Sequence, residues 1–223
     1  MFTGWHVLDR DRSTVSDHFT VIYRDDRLLV LDKPSGLLSV PGRGPDLQDC
    51  LASRVQQAFP NALVVHRLDR DTSGLILMAL DREAQREISR QFEQRQVHKA
   101  YECVVSGQPD QPTGLIDLPI GRDYDHPPRY KIDSVHGRAS QTRWHLIKTT
   151  TTGSRLEIRP ITGRSHQIRL HLATLGHPIL GDPLYANQAA FAAADRLLLH
   201  ARDLQLAHPD TGQTISWQSA CPF

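Results

Sequence analysis

Only three cysteines occur in the 223 residues, Cys50, Cys103 and Cys221. They are too scattered for a C-x-x-C metal clamp and too few for a disulfide framework. No run of about 18 apolar residues is present, which excludes an ordinary membrane-spanning helix. The stretch from Met1 to Asp17 is polar and lacks an apolar signal core, so the expected address is the cytosol. No Gly-x-Gly-x-x-Gly or P-loop pattern occurs, which argues against a nucleotide cofactor. Net charge is only +1, short of the clearly basic balance that marks a dedicated nucleic-acid binder. Arginine and lysine nevertheless gather in Arg122 to Lys148 and Arg155 to Arg169, whereas Asp25, Asp26, Asp46 and Asp49 lie earlier.

What is present is ordinary globular composition, with 39% hydrophobic and 23% charged residues. Residues 1–17 lack periodicity and read as a loose arm ahead of a single domain over 18–223. Phe19 to Tyr23 and Leu28 to Asp32 read as a hairpin, closed by the turn residues Lys33-Pro34-Ser35-Gly36. Asp46 is the expected N-cap of a helix carrying Leu47, Cys50, Leu51, Val55 and Ala58, stopped at Pro60-Asn61. A second helix is predicted from about Asp81 to Gln94, with Ala84, Ile88 and Phe92 four apart. It follows Leu75 to Leu80, whose unbroken apolarity suits a strand covered on both faces.

Further strands are predicted at Ala62 to Val65, Ala100 to Val105, Leu115 to Leu118, Gln141 to Lys148 and Arg155 to Arg159. A third helix from about His166 to Leu175 places Ile168, Leu172 and Leu175 on one face and ends at Gly176. The tail from Leu197 to Trp217 reads as strands around the turn Pro209-Asp210-Thr211-Gly212. Strands outnumber helices and most connections suit antiparallel pairing, so the expected class is α+β. Gly121 to Arg138 is the longest irregular stretch, and a loop of that length is more often functional or mobile than connective.

One segment concentrates polar residues between two core strands: His66-Arg67-Leu68-Asp69-Arg70-Asp71-Thr72-Ser73-Gly74. It reads either as a charged surface loop with side-chain turns or as a site in which two strands hold a carboxylate. On the residues alone, Tyr101 alternates with Cys103 and Val105 like a core residue, and Arg169 looks like a solvated helix-face residue. The histidines His66, His166 and His171 fit no standard zinc spacing.

The segment resembles the signature of the RluA-type RNA pseudouridine synthases, His-Arg-Leu-Asp-x-x-Thr-Ser-Gly, at all seven fixed positions. The resemblance extends to Asp32 through Leu37, to Lys99 and Tyr101, to Thr162 through His171, and to Gly176 through Asp182. It implies an α+β pseudouridine synthase fold: a large mixed, mainly antiparallel bent sheet flanked by helices, with an active-site cleft across it. It also implies that Asp69 is the catalytic carboxylate, that Tyr101 packs on the target uracil, and that Arg169 pairs with Asp69. Arg67 enters the RNA stack in place of a flipped nucleotide, and His66, Leu68, Thr72, Gly74, Lys33, Arg164 and His166 border the substrate.

Such roles make physical sense. A uridine inside structured RNA must be extruded before its C1′ is reached, and aromatic stacking compensates part of the lost base stacking. The resemblance implies no metal, no nucleotide or other cofactor, no membrane and no appended RNA-binding domain, and a monomer is expected. RNA is the expected partner. Gly36 to Gly42 most resembles the RluA subgroup, which modifies both 23S rRNA and a tRNA anticodon stem-loop. Two rival readings are a non-catalytic RNA-binding module of the same fold, and a hydrolase using His66 with His166, or Ser73 with His66 and Asp69.

Overall fold

The computed structural model describes residues Val15–Ser16 and 19–223, so apart from those two residues the expected arm over 1–17 lies outside the described residues. The chain forms two compact units, Met1–Lys99 with Ala201–Pro222, and Ala100–His200 with Phe223. Each is built from antiparallel strands and a few helices, which makes the protein α+β.

The first unit opens with β1 (Val15–Ser16), β2 (Phe19–Arg24) and β3 (Leu28–Lys33), the predicted hairpin being β2 and β3. A 3-10 turn over Pro45–Leu47 precedes α1 (Leu51–Ala58), and the short β4 (Leu63–Val64) leads to β5 (Ser73–Ala79). The first helix therefore starts later than Asp46. The Cys50 thiol accepts the Ser53 N–H at 3.4 Å, and the Ser53 hydroxyl accepts the Cys50 N–H at 3.1 Å, forming a reciprocal cap. Helix α2 (Arg82–Glu93) begins where predicted, with the Asp81 carboxylate accepting the Glu83 and Ala84 N–H groups at 2.8 and 2.9 Å.

The chain then supplies the second unit. Its strands are β6 (His98–Val105), β7 (Thr113–Asp117), β8 (Ile120–Arg122), β9 (Tyr130–Ile132), β10 (Gln141–Thr150) and β11 (Gly153–Pro160). Its helices are α3 (Gln167–Thr174) and α4 (Gln188–Ala192). With β12 (Leu199–Ala207) the chain returns to the first unit and ends on β13 (Thr214–Gln218).

Strands of the first unit lie in the order β1-β2-β3-β5-β12, with β4 also on β5 and β13 on β12. All seven residues of β5 are buried, as its unbroken apolarity predicts. Leu75, Leu77 and Ala79 join Leu28, Val30, Ala84, Ile88, Leu204 and Leu206 in the core of this unit.

The second unit orders its sheet β6-β11-β10-β7, every neighbouring pair antiparallel. Cys103, Val105, Ile116, Trp144, Leu156 and Ile158 pack from this sheet with Ile168 and Leu172 of α3. The stretch 121–138 is mostly turns and irregular backbone, as expected, but the three-residue strands β8 and β9 pair into a second sheet, with Ile120 opposite Ile132 and Arg122 opposite Tyr130. Three-residue strands around Pro127-Pro128 leave too short a pattern for alternation to register.

Candidate active site

The residues singled out in the sequence fall into two groups, one on each unit. In the first unit, the polar segment between β4 and β5 is pinned by the turn that follows β3. Lys33 is fully buried, and its ammonium donates to the carbonyls of Pro34 at 2.8 Å, Leu37 at 2.7 Å and Arg70 at 2.8 Å. The Ser35 hydroxyl donates to the Asp71 carbonyl at 2.7 Å, and the Gly36 N–H donates to the Arg70 carbonyl at 3.0 Å. The buried Ser39 hydroxyl donates to the Leu68 carbonyl at 2.7 Å and accepts the Leu68 N–H at 3.1 Å. Residues 68, 70 and 71 are thus fixed by their backbone, and Asp69 is carried between them.

The Thr72 N–H closes a turn onto the Asp69 carbonyl at 3.2 Å. At Gly74 the backbone is left-handed, with φ 109°, and a Cβ would stand 2.3 Å from the Ala201 carbonyl oxygen, so only glycine fits. Asp69 itself is half-buried and Arg67 is exposed. Asp69 is thus a half-buried carboxylate carried on a rigid turn.

Several residues expected at the substrate border also hold this turn. Lys33 is a staple with no exposed surface; Leu68 and Thr72 are buried, and Gly74 is committed to backbone packing. The His66 Nε2 accepts the Leu77 N–H at 2.9 Å, and its ring stacks on Phe92 at 4.7 Å. Burial, reinforced by the Lys99 charge, lowers its pKa to about 3. With Nε2 engaged by the backbone of β5, His66 offers that nitrogen to no substrate, which speaks against the hydrolase reading. Sequence reasoning missed Ser35 and Ser39, because a hydroxyl that clamps a loop 29 residues away leaves no local pattern.

The second group surrounds α3. Gln167 knots the approach to this helix: its Oε1 accepts the Thr162 hydroxyl at 2.7 Å and the Arg164 N–H at 3.0 Å. Its Nε2 donates to the Gln141 carbonyl and the Thr142 hydroxyl, both at 3.0 Å. Arg164 therefore meets α3 through its backbone, and its side chain is exposed.

His166 adopts a left-handed conformation, φ 57°, at the start of α3. The Tyr185 hydroxyl accepts the Tyr130 N–H at 2.9 Å and lies within hydrogen-bond distance, 2.8 Å, of His166 Nδ1.

Arg169, expected on a solvated helix face, is 2% exposed. Its Nε and NH2 donate to the two carboxylate oxygens of the fully buried Asp182 at 2.8 and 2.7 Å, a bidentate pair. The guanidinium also lies 5.4 Å from the Tyr185 ring centroid. Asp182 Oδ1 additionally accepts the Leu184 N–H at 2.8 Å and the Tyr185 N–H at 3.2 Å. Asp182 was legible only as part of a motif, not as the acid that carries Arg169. Half-buried Tyr101 extends from β6 on the side of its unit's core cluster.

Comparison with known proteins follows this geometry. A family model described as RNA pseudouridylate synthase matches residues 27–174. The chain is 46% identical over 204 residues to a protein of Yersinia pestis named dual-specificity RNA pseudouridine synthase RluA, covering 91% of this chain and 99% of that one. A protein of the same name from Escherichia coli K12 is 44% identical, with 91% and 93% covered. Among solved structures, human RNA pseudouridylate synthase domain containing 1 superposes with a TM-score of 0.78 at 27% identity, covering 95% of this chain and 87% of that one. Its human paralogue, domain containing 4, gives 0.72 at 24% identity over 91% and 88%, and supports the fold.

Proposed function

Because the chain belongs to the RNA pseudouridylate synthase family, and is thus an isomerase that makes pseudouridine in RNA, we propose that Asp69 is the carboxylate that carries its reaction. The supporting observation is the clamp on its loop: a half-buried carboxylate whose neighbours on both sides are fixed by Lys33, Ser35 and Ser39. A charged group held on a rigid turn keeps its reacting atom aligned without reorganisation at each turnover.

The ionised carboxylate attacks C1′ of the flipped uridine, or removes the C2′ proton to give a glycal. On either route the N1–C1′ bond breaks, the uracil turns, and a C5–C1′ bond forms. C5 then loses its proton, N1 ends protonated, and the carboxylate is regenerated. No electrons are exchanged, so the chemistry calls for neither a redox cofactor nor a nucleotide. Tyr101, Arg169 and Arg67 keep the parts that the family resemblance gives them: uracil platform, positive charge and plug in the RNA stack.

The test is tritium release from RNA labelled at uridine C5. Replacement of Asp69 by Asn removes the nucleophile or base while preserving shape, and turnover should fall by about a thousandfold or more, equivalent to ~4 kcal/mol. RNA binding and the melting temperature should stay close to wild type. Turnover within about tenfold of wild type, ~1.4 kcal/mol, would sink the assignment.

The words dual-specificity in the names of the bacterial relatives support a finer reading, that this enzyme too serves two RNA classes, which the resemblance of Gly36 to Gly42 to the RluA subgroup makes 23S rRNA and a tRNA anticodon stem-loop. It acts as a cytosolic monomer. Mapping pseudouridines lost from cellular RNA in a deletion strain tests the two targets together, and loss from one class alone would restrict the enzyme to that class.

A further inference from the structure

The sheet of the second unit has two faces. Ile116, Trp144, Leu156 and Ile158 point to the core cluster, so their strand neighbours point the other way. There, Leu115 of β7, Arg143 of β10 and Arg159 of β11 lie directly across from one another in register, and the next row is Thr113, His145 and Glu157. These six residues line an open groove of about 320 Å³.

Two guanidinium groups directly opposite each other on neighbouring strands repel, so the arrangement disfavours the sheet unless an anion lies between them. Only part of that charge is answered within the protein. Glu157 accepts from Arg159 Nε at 2.7 Å, whereas Arg143 and His145 make neither hydrogen bond nor ion pair among the described residues. Leu115 is 51% exposed beside them and offers an apolar shelf next to the charge. Cations on rigid strands beside such a shelf match the two halves of a nucleotide unit, an anionic phosphodiester and a largely apolar sugar and base face.

We propose that this groove is a second RNA contact, in which Arg143 and Arg159 hold the phosphodiester backbone of a segment away from the target uridine. It is separate from the uracil platform. Tyr101 lies opposite Ile158, and Ile158 and Arg159 are consecutive on β11, so Tyr101 and Arg159 project from opposite faces of the same sheet. The contact gives a chain of net charge +1 a local source of phosphate affinity: Arg143 is met by no carboxylate among the described residues, and Glu157 answers only Arg159. The inference rests on the RNA substrate of the family and goes beyond the assignment of Asp69.

The experiment compares wild type with Arg143→Gln/Arg159→Gln and with Arg143→Lys/Arg159→Lys. The affinity for a structured RNA that the wild type modifies is measured across a series of KCl concentrations, alongside kcat at saturating RNA. Each neutralised phosphate contributes about 0.7–0.9 to the slope of log affinity against log salt, so the Gln pair should flatten it by about 1–2 and weaken low-salt binding about tenfold. Its kcat should stay at the wild-type value. The Lys pair keeps the charge and should keep the slope.

An unchanged slope and affinity in the Gln pair would overturn the proposal, as would an equal loss in the Lys pair, since charge would then not be the cause. Calorimetry with inorganic phosphate separates the remaining source. Phosphate binding that the Gln pair abolishes, with RNA affinity untouched, marks a small-anion site and refutes the RNA contact. A wild type that forms no pseudouridine refutes the functional reading instead, and that outcome is read in a different assay.

Discussion

The two units hold their key charged residues in opposite ways. In the first, the bonds go to the backbone around Asp69, through the Lys33 ammonium and the Ser35 and Ser39 hydroxyls. In the second, they go to the charged group itself, through the bidentate grip of Asp182 on Arg169. Backbone tethering fixes where a carboxylate stands by holding the loop on either side of it. Side-chain tethering fixes a cation's orientation and keeps it charged while buried. A group that must form or break bonds suits the first arrangement, and one that supplies only a field or a surface suits the second.

The largest effect expected from this contrast is at Asp182. Its replacement by Ala removes the bidentate partner of the buried Arg169 guanidinium, and breaking a buried pair from one side costs ~3–5 kcal/mol. Urea unfolding should report a loss in that range. The double variant Asp182→Ala/Arg169→Met removes the buried guanidinium as well and should regain part of the loss. A single-variant loss below ~1 kcal/mol would mean that the pair is not held apart from water as its burial implies.

Next in size is the clamp. Lys33→Met removes three hydrogen bonds and leaves buried carbonyls unpaired, for which ~2–4 kcal/mol is expected, and Ser39→Ala should cost ~1–2 kcal/mol. Because these residues act through the position of Asp69, both variants should lose kcat while KM for RNA changes little. If KM rose and kcat held, Lys33 would be a substrate contact after all and the contrast between the units would fail.

How much of this the sequence carried depends on the range of the forces involved. The Asp69 segment, the α2 cap at Asp81 and the buried β5 were legible, because each is specified by residues a few positions apart. The start of α1 was misplaced because Pro45 and Asp46 are both good initiators, yet they form a 3-10 turn that leaves Leu47 43% exposed, and the buried cap fell to Cys50.

Helix α3 was read with one apolar face, whereas all six residues from Gln167 to Leu172 are buried. Its polar side chains find distant partners. Gln167 reaches Gln141 and Thr142, Arg169 reaches Asp182, and His171 lies 2.9 Å from the Thr142 hydroxyl and 3.0 Å from the Leu118 carbonyl. Periodicity reports which residues avoid water, and it is blind to polar residues buried by long-range pairing.

The last effect, small within any one pH unit, concerns His66, a titratable group of the clamped unit that holds the β5 backbone. Its folded-state pKa is about 3, below its ordinary value of 6.5. Between those values the unfolded chain binds a proton that the folded chain refuses, so stability rises with pH across this window and is lost as pH falls from 6.5 toward 3. The slope from one such group is at most ~1.4 kcal/mol per pH unit. Replacing His66 by Asn removes the titration, so urea midpoints of the variant should fall less steeply than wild type between about pH 6.5 and 4.5. The two proteins differ only in this term, so subtracting their pH curves cancels every carboxylate they share. Parallel curves would show that the His66 ring takes up its proton while folded. The Leu77 N–H bond to Nε2 would then be broken under mild acid, and the strand beside the Asp69 turn would be looser than its full burial implies.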